Sequence, residues 1–378
     1  MSRKLLLHIG CHKTGTSAIQ RACAMNRGKL QSQGWAFADG PHDGGNWGNI
    51  FRFERHENGI TTFRVAEEGM EALEQRLDAC EGNNVILSAE DLFFLEAPEI
   101  AQFAERIGAR FDAVTICAWL RRQDELAVSQ KAQGAKTVQS ALVFGTGPGV
   151  LPDLTPQVRG YLDFATRLED WQRAFGGAEL IVRQYHRPSL AGGDIVTDFF
   201  SVLGMKIRGD NADINATMGA NEVRLLLTLR EAGLKQGDIA RIRDNKWIAQ
   251  SPGAPRVARA EAERFYAAFD ESNRRLAAVV GAPFAFHGDF SKYPETVEDT
   301  GYEAYEREML LSLIAELSRI ASPDRAGLLR RVGLHLEKSR PGMAFDLLDF
   351  AHDLNPGGPV IRQARERVAK ALAEREKG

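Results

Sequence analysis

Apolar positions along the chain fall into two kinds of segment. Leu5 to Ile9, Asn84 to Ser88, Ala113 to Leu120 and Glu179 to Tyr185 are short, nearly continuous runs, as expected of strands covered on both faces. Between them, residues 17–31, about 66–80, 98–108, 124–133, 161–175 and 194–203 carry apolar side chains at helical spacing, and Gly204 takes a C-cap position after the last of these. Such alternation predicts an α/β fold, a parallel sheet flanked by helices. Residues 36–62 and 143–157 are rich in Gly, with Asn and His in the first and Pro in the second, and show no period, so both are expected to be long loops. Beyond residue 204 no strand pattern recurs. Segments 220–233, 258–280, 303–321 and 325–372 read as helical, with breaks at Pro252, Pro255, Pro283, Pro294, Pro323 and Pro356. The chain thus divides into an α/β domain, 1–295, and a C-terminal all-α extension, 300–378.

Composition narrows the function more than the fold. The 378 residues carry a net charge of -3, which offers no general attraction to nucleic acid or an anionic membrane, so any anion must be held by a local site. Four cysteines, Cys11, Cys23, Cys80 and Cys117, make neither a disulfide framework nor a zinc signature and fit a reducing compartment. The opening Met1 to His8 is too short in apolar residues for a signal peptide or a membrane span, and the expectation is a cytoplasmic chain.

The strongest local signal is Gly10-Cys11-His12-Lys13-Thr14-Gly15-Thr16-Ser17, a turn between the first strand and the first helix. A turn of this kind points amide N–H groups at an anion, the helix dipole adds partial positive charge, and Lys13 adds a full one. Thr14, Thr16 and Ser17 offer hydroxyl donors. A plain turn capped by Ser17 requires one hydroxyl and no lysine, so it explains less. Lys13 precedes Gly15, which departs from G-x-x-x-x-G-K-[ST] and argues against an ATPase or GTPase; Glu90-Asp91 after the second strand is only a partial mimic of a metal-binding acid there.

Lys-Thr-Gly-Thr-Ser directly after a first strand resembles the 5′-phosphosulfate loop of sulfotransferases that use 3′-phosphoadenosine 5′-phosphosulfate (PAPS). Arg121 at the end of the third strand, with Ser129 eight residues later, resembles the 3′-phosphate motif of the same family; Arg122 is a less certain member. An Arg fork and a hydroxyl suit a phosphate, and both belong at the carboxyl edge of the sheet. Weaker likeness runs through 182–188, 195–204, Asn215, Asn221-Glu222 and 265–278, in an order similar to bacterial carbohydrate-type members. The resemblance implies a P-loop-like sheet, a PAPS site made by His12, Lys13, Thr14, Gly15, Thr16, Ser17, Arg121 and Ser129, no metal, and a hydroxyl acceptor on a saccharide or glycolipid.

In that chemistry Lys13 would stabilise the leaving oxygen, and an acceptor hydroxyl would need a base. Glu90, in Ser88-Ala89-Glu90, resembles an element of bacterial members and leaves the second strand at the right edge; a structural ion pair or cap explains it equally well. His42, in the Gly-rich segment, is the second candidate, against an ordinary solvated loop histidine. His8 falls within the strand and reads as a core residue. Arg52, Arg55, Lys131, Lys136 and Trp47 either line an acceptor site or are surface. Two other readings stay open. A kinase or nucleotide hydrolase predicts Mg²⁺ and ATP binding. A noncatalytic scaffold draws on the tail, where Ala344, Leu348, Ala351 and Pro356 resemble the second helix of a tetratricopeptide repeat, offering a surface for a partner or a homodimer.

Overall fold

The computed structural model describes every residue except 1, 43–44, 58, 210–217, 282, 299, 320–324, 339 and 376–378, together with the side chains of 315–319, 325 and 374–375. Asn215 and Pro323 lie outside the described residues. The main sheet contains β1 (Lys4–His8), β2 (Trp35–Phe37), β5 (Asn84–Ser88), β6 (Ala113–Leu120) and β7 (Glu179–Gln184) in the order β2-β5-β1-β6-β7, and every neighbouring pair is parallel. The fold is therefore α/β with a parallel sheet flanked by helices and an all-α C-terminal region.

Alternation along the strands assigns the two faces. Leu6, Ile86, Cys117 and Trp119 pack on one side against Ile19 and Cys23 of α1 (Thr16–Met25), Leu30 of α2 (Arg27–Ser32) and Phe199 and Phe200 of α9 (Ile195–Val202). Leu5, Leu7, Val85, Leu87, Ile116 and Ala118 face the opposite way, onto α3 (Glu67–Asp78), α4 (Ala97–Gly108), α5 (Gln123–Gly134) and α8 (Phe164–Ala174). The chain thus leaves β1 toward one face and β6 toward the other. Because β1 and β6 are neighbours, their diverging connections open a crevice at the carboxyl edge, where open α/β sheets take ligands.

Several expected elements are revised. Residues 36–62 are not one loop: β2 ends at Phe37, and an antiparallel hairpin joins β3 (Phe51–Arg55) to β4 (Thr61–Val65), with Gly59 at φ 80 in its turn. The hairpin hides in the sequence because β3 is half-exposed or exposed throughout and carries Arg and Glu. Residues 17–31 form two helices, broken at Asn26, whose side chain donates to the Ala22 carbonyl. Residues 161–175 break at Asp163, which leaves helical geometry to accept the Thr166 N–H and cap α8, so Tyr161 belongs to α7 (Pro156–Leu162). α6 (Val138–Phe144) precedes the Gly-rich loop. Residues 258–280 divide into α12 (Arg259–Ala267) and α13 (Asp270–Val280) at buried Phe269, and α11 (Gln236–Asp244) carried no clear signal.

Past the sheet, α10 (Ala220–Glu231) and α11 share an apolar cluster with α14 (Tyr302–Arg319), through Leu225, Leu229, Ile239, Tyr302 and Met309. α15 (Arg325–Leu336), α16 (Pro341–Leu354) and α17 (Pro359–Arg375) bury Ala344, Leu348 and Ala351 together. Gly333 lets α15 approach closely, since a Cβ there would lie 2.9 Å from Leu348. All four cysteines are free and buried, and among the described residues no helix is long and apolar enough to cross a membrane.

Candidate active site

The loop after β1 is stitched to β6 before it turns. Cys11 N–H donates to the Trp119 carbonyl at 3.1 Å, and Trp119 N–H donates to the Gly10 carbonyl at 2.8 Å. The chain then reverses through Lys13 at φ 61 and Gly15 at φ 83, both in the left-handed region. Gly15 is the N-cap of α1 and no side chain caps that helix; the Ala18 amide turns back to the Gly15 carbonyl, and the amides of Thr16 and Ser17 are left to solvent or a ligand. Thr14, expected from sequence to offer its hydroxyl to a ligand, is instead committed within the loop: its buried hydroxyl donates to the Cys11 carbonyl at 2.6 Å and braces the turn. Thr16 is buried and Ser17 exposed.

Lys13 sits half-buried at the crown of this turn, its Nζ donating to Gln133 Oε1 of α5 at 3.2 Å. Burial holds its ammonium below the usual lysine range and Lys136 adds repulsion, while Glu90 pulls the other way. Glu90 follows β5, next to β1 in the sheet, and burial pushes its carboxyl up, against the pull of His12 and Lys13. Burial therefore outweighs their mutual attraction, and each group is biased toward neutrality.

His12 is not available to a ligand through its ring. Nδ1 lies 2.8 Å from Tyr161 Oη and Nε2 lies 3.1 Å from Asp91 Oδ1, with the ring 4.3 Å from Phe94. Asp91 is thus a partner of His12. His42 is exposed on the rim. Gly48 is flanked by both the Asp91 carboxylate and the His42 ring: a Cβ there would lie 3.8 Å from Asp91 Oδ2 and 4.0 Å from His42 Cδ2. His8 is a core residue: its Nδ1 meets Ser88 Oγ at 2.8 Å, and burial lowers its pKa to about 3. Trp47 is buried and donates to the Ala38 carbonyl, so it does not line a surface site.

At the exit of β6 the two arginines part company. Arg121 is half-buried and donates from Nε to Glu125 Oε2 at 3.1 Å, and its charge is felt by Lys13. Arg122 is fully buried, paired with Asp124, and donates to the carbonyls of His287 and Asp289, with its guanidinium 3.6 Å from the Phe290 ring centre. It is a structural clamp and leaves the ligand set. Ser129, half-buried one turn beyond Glu125, has no hydrogen-bond partner among the described residues.

A lysine and a histidine from a distant segment complete this end, burial holding the His287 imidazole below its usual range. Lys292 Nζ lies 2.5 Å and His287 Nε2 3.2 Å from Glu125 Oε1, and the His287 ring stacks on His186 at 4.0 Å. Burial alone would raise the Glu125 carboxyl, but Arg121 and Lys292 hold it at about 2. Sequence reasoning missed His287, Lys292, Gln133 and Lys136's proximity to Lys13. More than 150 residues separate Glu125 from His287, and no local pattern marks the pairing; Gln133, four residues beyond Ser129 on one helix, was the findable one. Among the described residues no group of three or more His, Cys, Asp or Glu is placed to hold a metal ion.

No known family model matches the chain. An uncharacterized protein of Archaeoglobus fulgidus is 30% identical over 123 residues, 32% of this chain and 30% of that protein, so the chain spans less than a third of that relative's length. A crystal structure of a sulfotransferase from Alicyclobacillus acidocaldarius aligns with 75% of this chain and 97% of its own, at 14% identity and a TM-score of 0.38. At that distance the likeness carries no function, and the site must speak for itself.

Proposed function

We propose that this chain is a sulfotransferase that moves a sulfuryl group from PAPS to an acceptor hydroxyl. One observation carries the reading: Lys13, at the crown of a loop that opens an uncapped helix, lies close enough to both Glu90 and Arg121 to feel their charges. The amides of residues 15–17 and Lys13 fit a phosphosulfate. Arg121 and Ser129, supported by Lys292 and His287, fit a second phosphate on the same nucleotide, displacing the Glu125 carboxylate as their counter-charge. PAPS, when bound, supplies an activated sulfuryl group whose departure leaves negative charge on a phosphate oxygen. Lys13 neutralises that charge, and Glu90 accepts the acceptor's hydroxyl proton as the acceptor oxygen bonds to sulfur, leaving adenosine 3′,5′-bisphosphate. His42, on the rim beside Gly48, is the alternative base. The motif resemblance favours a saccharide or glycolipid hydroxyl as acceptor.

Calorimetric titration with adenosine 3′,5′-bisphosphate, set against ATP with Mg²⁺, tests the reading. The bisphosphate is expected to bind without metal and to lose roughly a hundredfold in affinity in Lys13→Ala and in Arg121→Ala. Tighter binding of ATP with Mg²⁺ would replace this reading with that of a kinase or nucleotide hydrolase.

A further inference from the structure

A second cavity, of 740 Å³, lies between α5, the glycine-rich loop at 147–150, the start of α10, the segment 252–256, and Pro294, Thr296, Val297, Glu298 and Thr300. Its volume falls within the range of small-molecule sites and far exceeds what a bare ion needs. Three cations line it: Lys131 of α5, Arg224 of α10, and Arg256. Among the described residues none of them has a carboxylate at ion-pairing distance, and Glu298 is the one carboxylate on the wall.

Each cation is held in a different way. Lys131 is only 4% exposed, and its ammonium donates to a single acceptor, the Leu151 carbonyl, at 3.3 Å. An ammonium has three donors, and burying one without a counter-charge is costly. Asp153 and Glu231 are near enough to be felt, but burial dominates and lowers the lysine's proton affinity. Arg224 lies with its guanidinium 3.9 Å from the Tyr302 ring centre, which fixes it by its face, and among the described residues no side chain or carbonyl takes its N–H edges. Arg256 is exposed. Val128, Val223 and Leu227 supply apolar wall beside these charges.

We infer that this cavity binds an oxyanion, a phosphate, sulfate or carboxylate group, carried on an organic body the size of a sugar. The cation set provides the counter-charge for the acid group, and the apolar wall and the volume accommodate the body. The site is separate from the nucleotide cradle but close to it. Gln133, which holds Lys13, follows directly on Lys131 and Ala132 of the cavity wall, so the two sites lie about one helix diameter (~10 Å) apart across α5. The same chemistry is offered by an acidic group on the acceptor or by a free small effector.

The test is calorimetric titration of the full chain with glucose 6-phosphate, with glucose and inorganic phosphate as controls. Saturable binding is expected for glucose 6-phosphate, more tightly than either control, and weakened roughly tenfold in Arg224→Gln and in Arg256→Gln. Lys131→Met, which keeps the buried stem, should do the same. Affinity for adenosine 3′,5′-bisphosphate should stay within about twofold in all three variants, which also verifies their fold and separates this proposal from the sulfotransferase reading. A sulfated tetrasaccharide that binds more tightly than the monoester would identify an anion borne by a chain, and the reverse a free effector; both support the site. Lack of saturable binding, binding indifferent to the substitutions, or displacement by the bisphosphate would each overturn it.

Discussion

Arg122 donates from Nε and Nη2 to the two oxygens of Asp124 at 2.7 and 3.0 Å, and both side chains are fully buried at the mouth of β6. Tyr293 donates to the same carboxylate at 2.5 Å, so the pair ties the end of the sheet to the segment that carries His287 and Lys292. Arg122→Lys cannot reproduce the fork and leaves Asp124 partly unpaired. We expect it to cost about 3–5 kcal/mol in urea denaturation. A loss under about 1 kcal/mol, within the range of a surface pair, would refute the clamp.

Arg121 should behave in the opposite sense. Its side chain is 26% exposed and, among the described residues, its ion-pair partner is Glu125, which keeps Lys292, so Arg121→Gln is expected to cost less stability than Arg122→Lys, about 1–2 kcal/mol. The same variant should lose most of its affinity for adenosine 3′,5′-bisphosphate. Adjacent arginines with opposite profiles, one in denaturation and one in calorimetry, are the signature to look for.

Glu125 predicts a pH-dependent stability. Its folded pKa of about 2 lies below the ordinary value of 4.5, so its contribution is fully present above pH 4.5 and is lost as pH falls from there toward 2. That difference corresponds to about 3 kcal/mol. Glu125→Gln should therefore destabilise the chain at pH 7 and converge on the parent in acid. Parallel stability curves from pH 7 to pH 3 would show that Arg121, His287 and Lys292 do not depend on this carboxylate.

Gly15 tests the turn itself. Its φ of 83 is strained for any L side chain, and an added Cβ would lie 2.8 Å from Ile195 Cγ2 on α9. Gly15→Ala is expected to cost about 1–2 kcal/mol in stability and to reduce bisphosphate affinity by roughly tenfold, because the start of α1 must shift. Unchanged binding in a folded variant would mean that the first-turn amides do not hold the ligand.

How much of this was readable in the chain follows from the range of the interactions involved. The apolar runs at 84–88 and 113–120 gave the strand bounds directly, because central parallel strands are buried on both faces and carry their pattern in every residue. β3 and β4 were missed because the strand that faces solvent is marked by its partner and not by its own composition. The loop at 10–17 was readable because consecutive residues build it. The other half of the site was not: Glu125 gathers Arg121 together with His287 and Lys292 from a distant segment, and nothing in sequence spacing records that meeting. Arg122 could not be decided from sequence, since a strand-end arginine looks alike whether it faces a phosphate or an aspartate two residues on.

Lys13 and Glu90 predict how ligand affinity varies with pH. Burial and Lys136 lower the lysine from its ordinary 10.5 in the free chain, and burial raises the glutamate from 4.5. An anionic ligand binds best when Lys13 is charged and Glu90 is neutral, so deprotonation of either group weakens it. Above pH 7 the ligand's phosphates already hold nearly full charge, their second pKa lying near 6. Bisphosphate affinity should therefore decline in the alkaline range as Lys13 loses its proton, with the midpoint below 10.5. Lys13→Arg, which does not titrate in this range, should remove the alkaline decline, and Glu90→Gln should keep it while abolishing turnover. A flat profile in the parent chain up to pH 10 would show that neither group faces the bound anion.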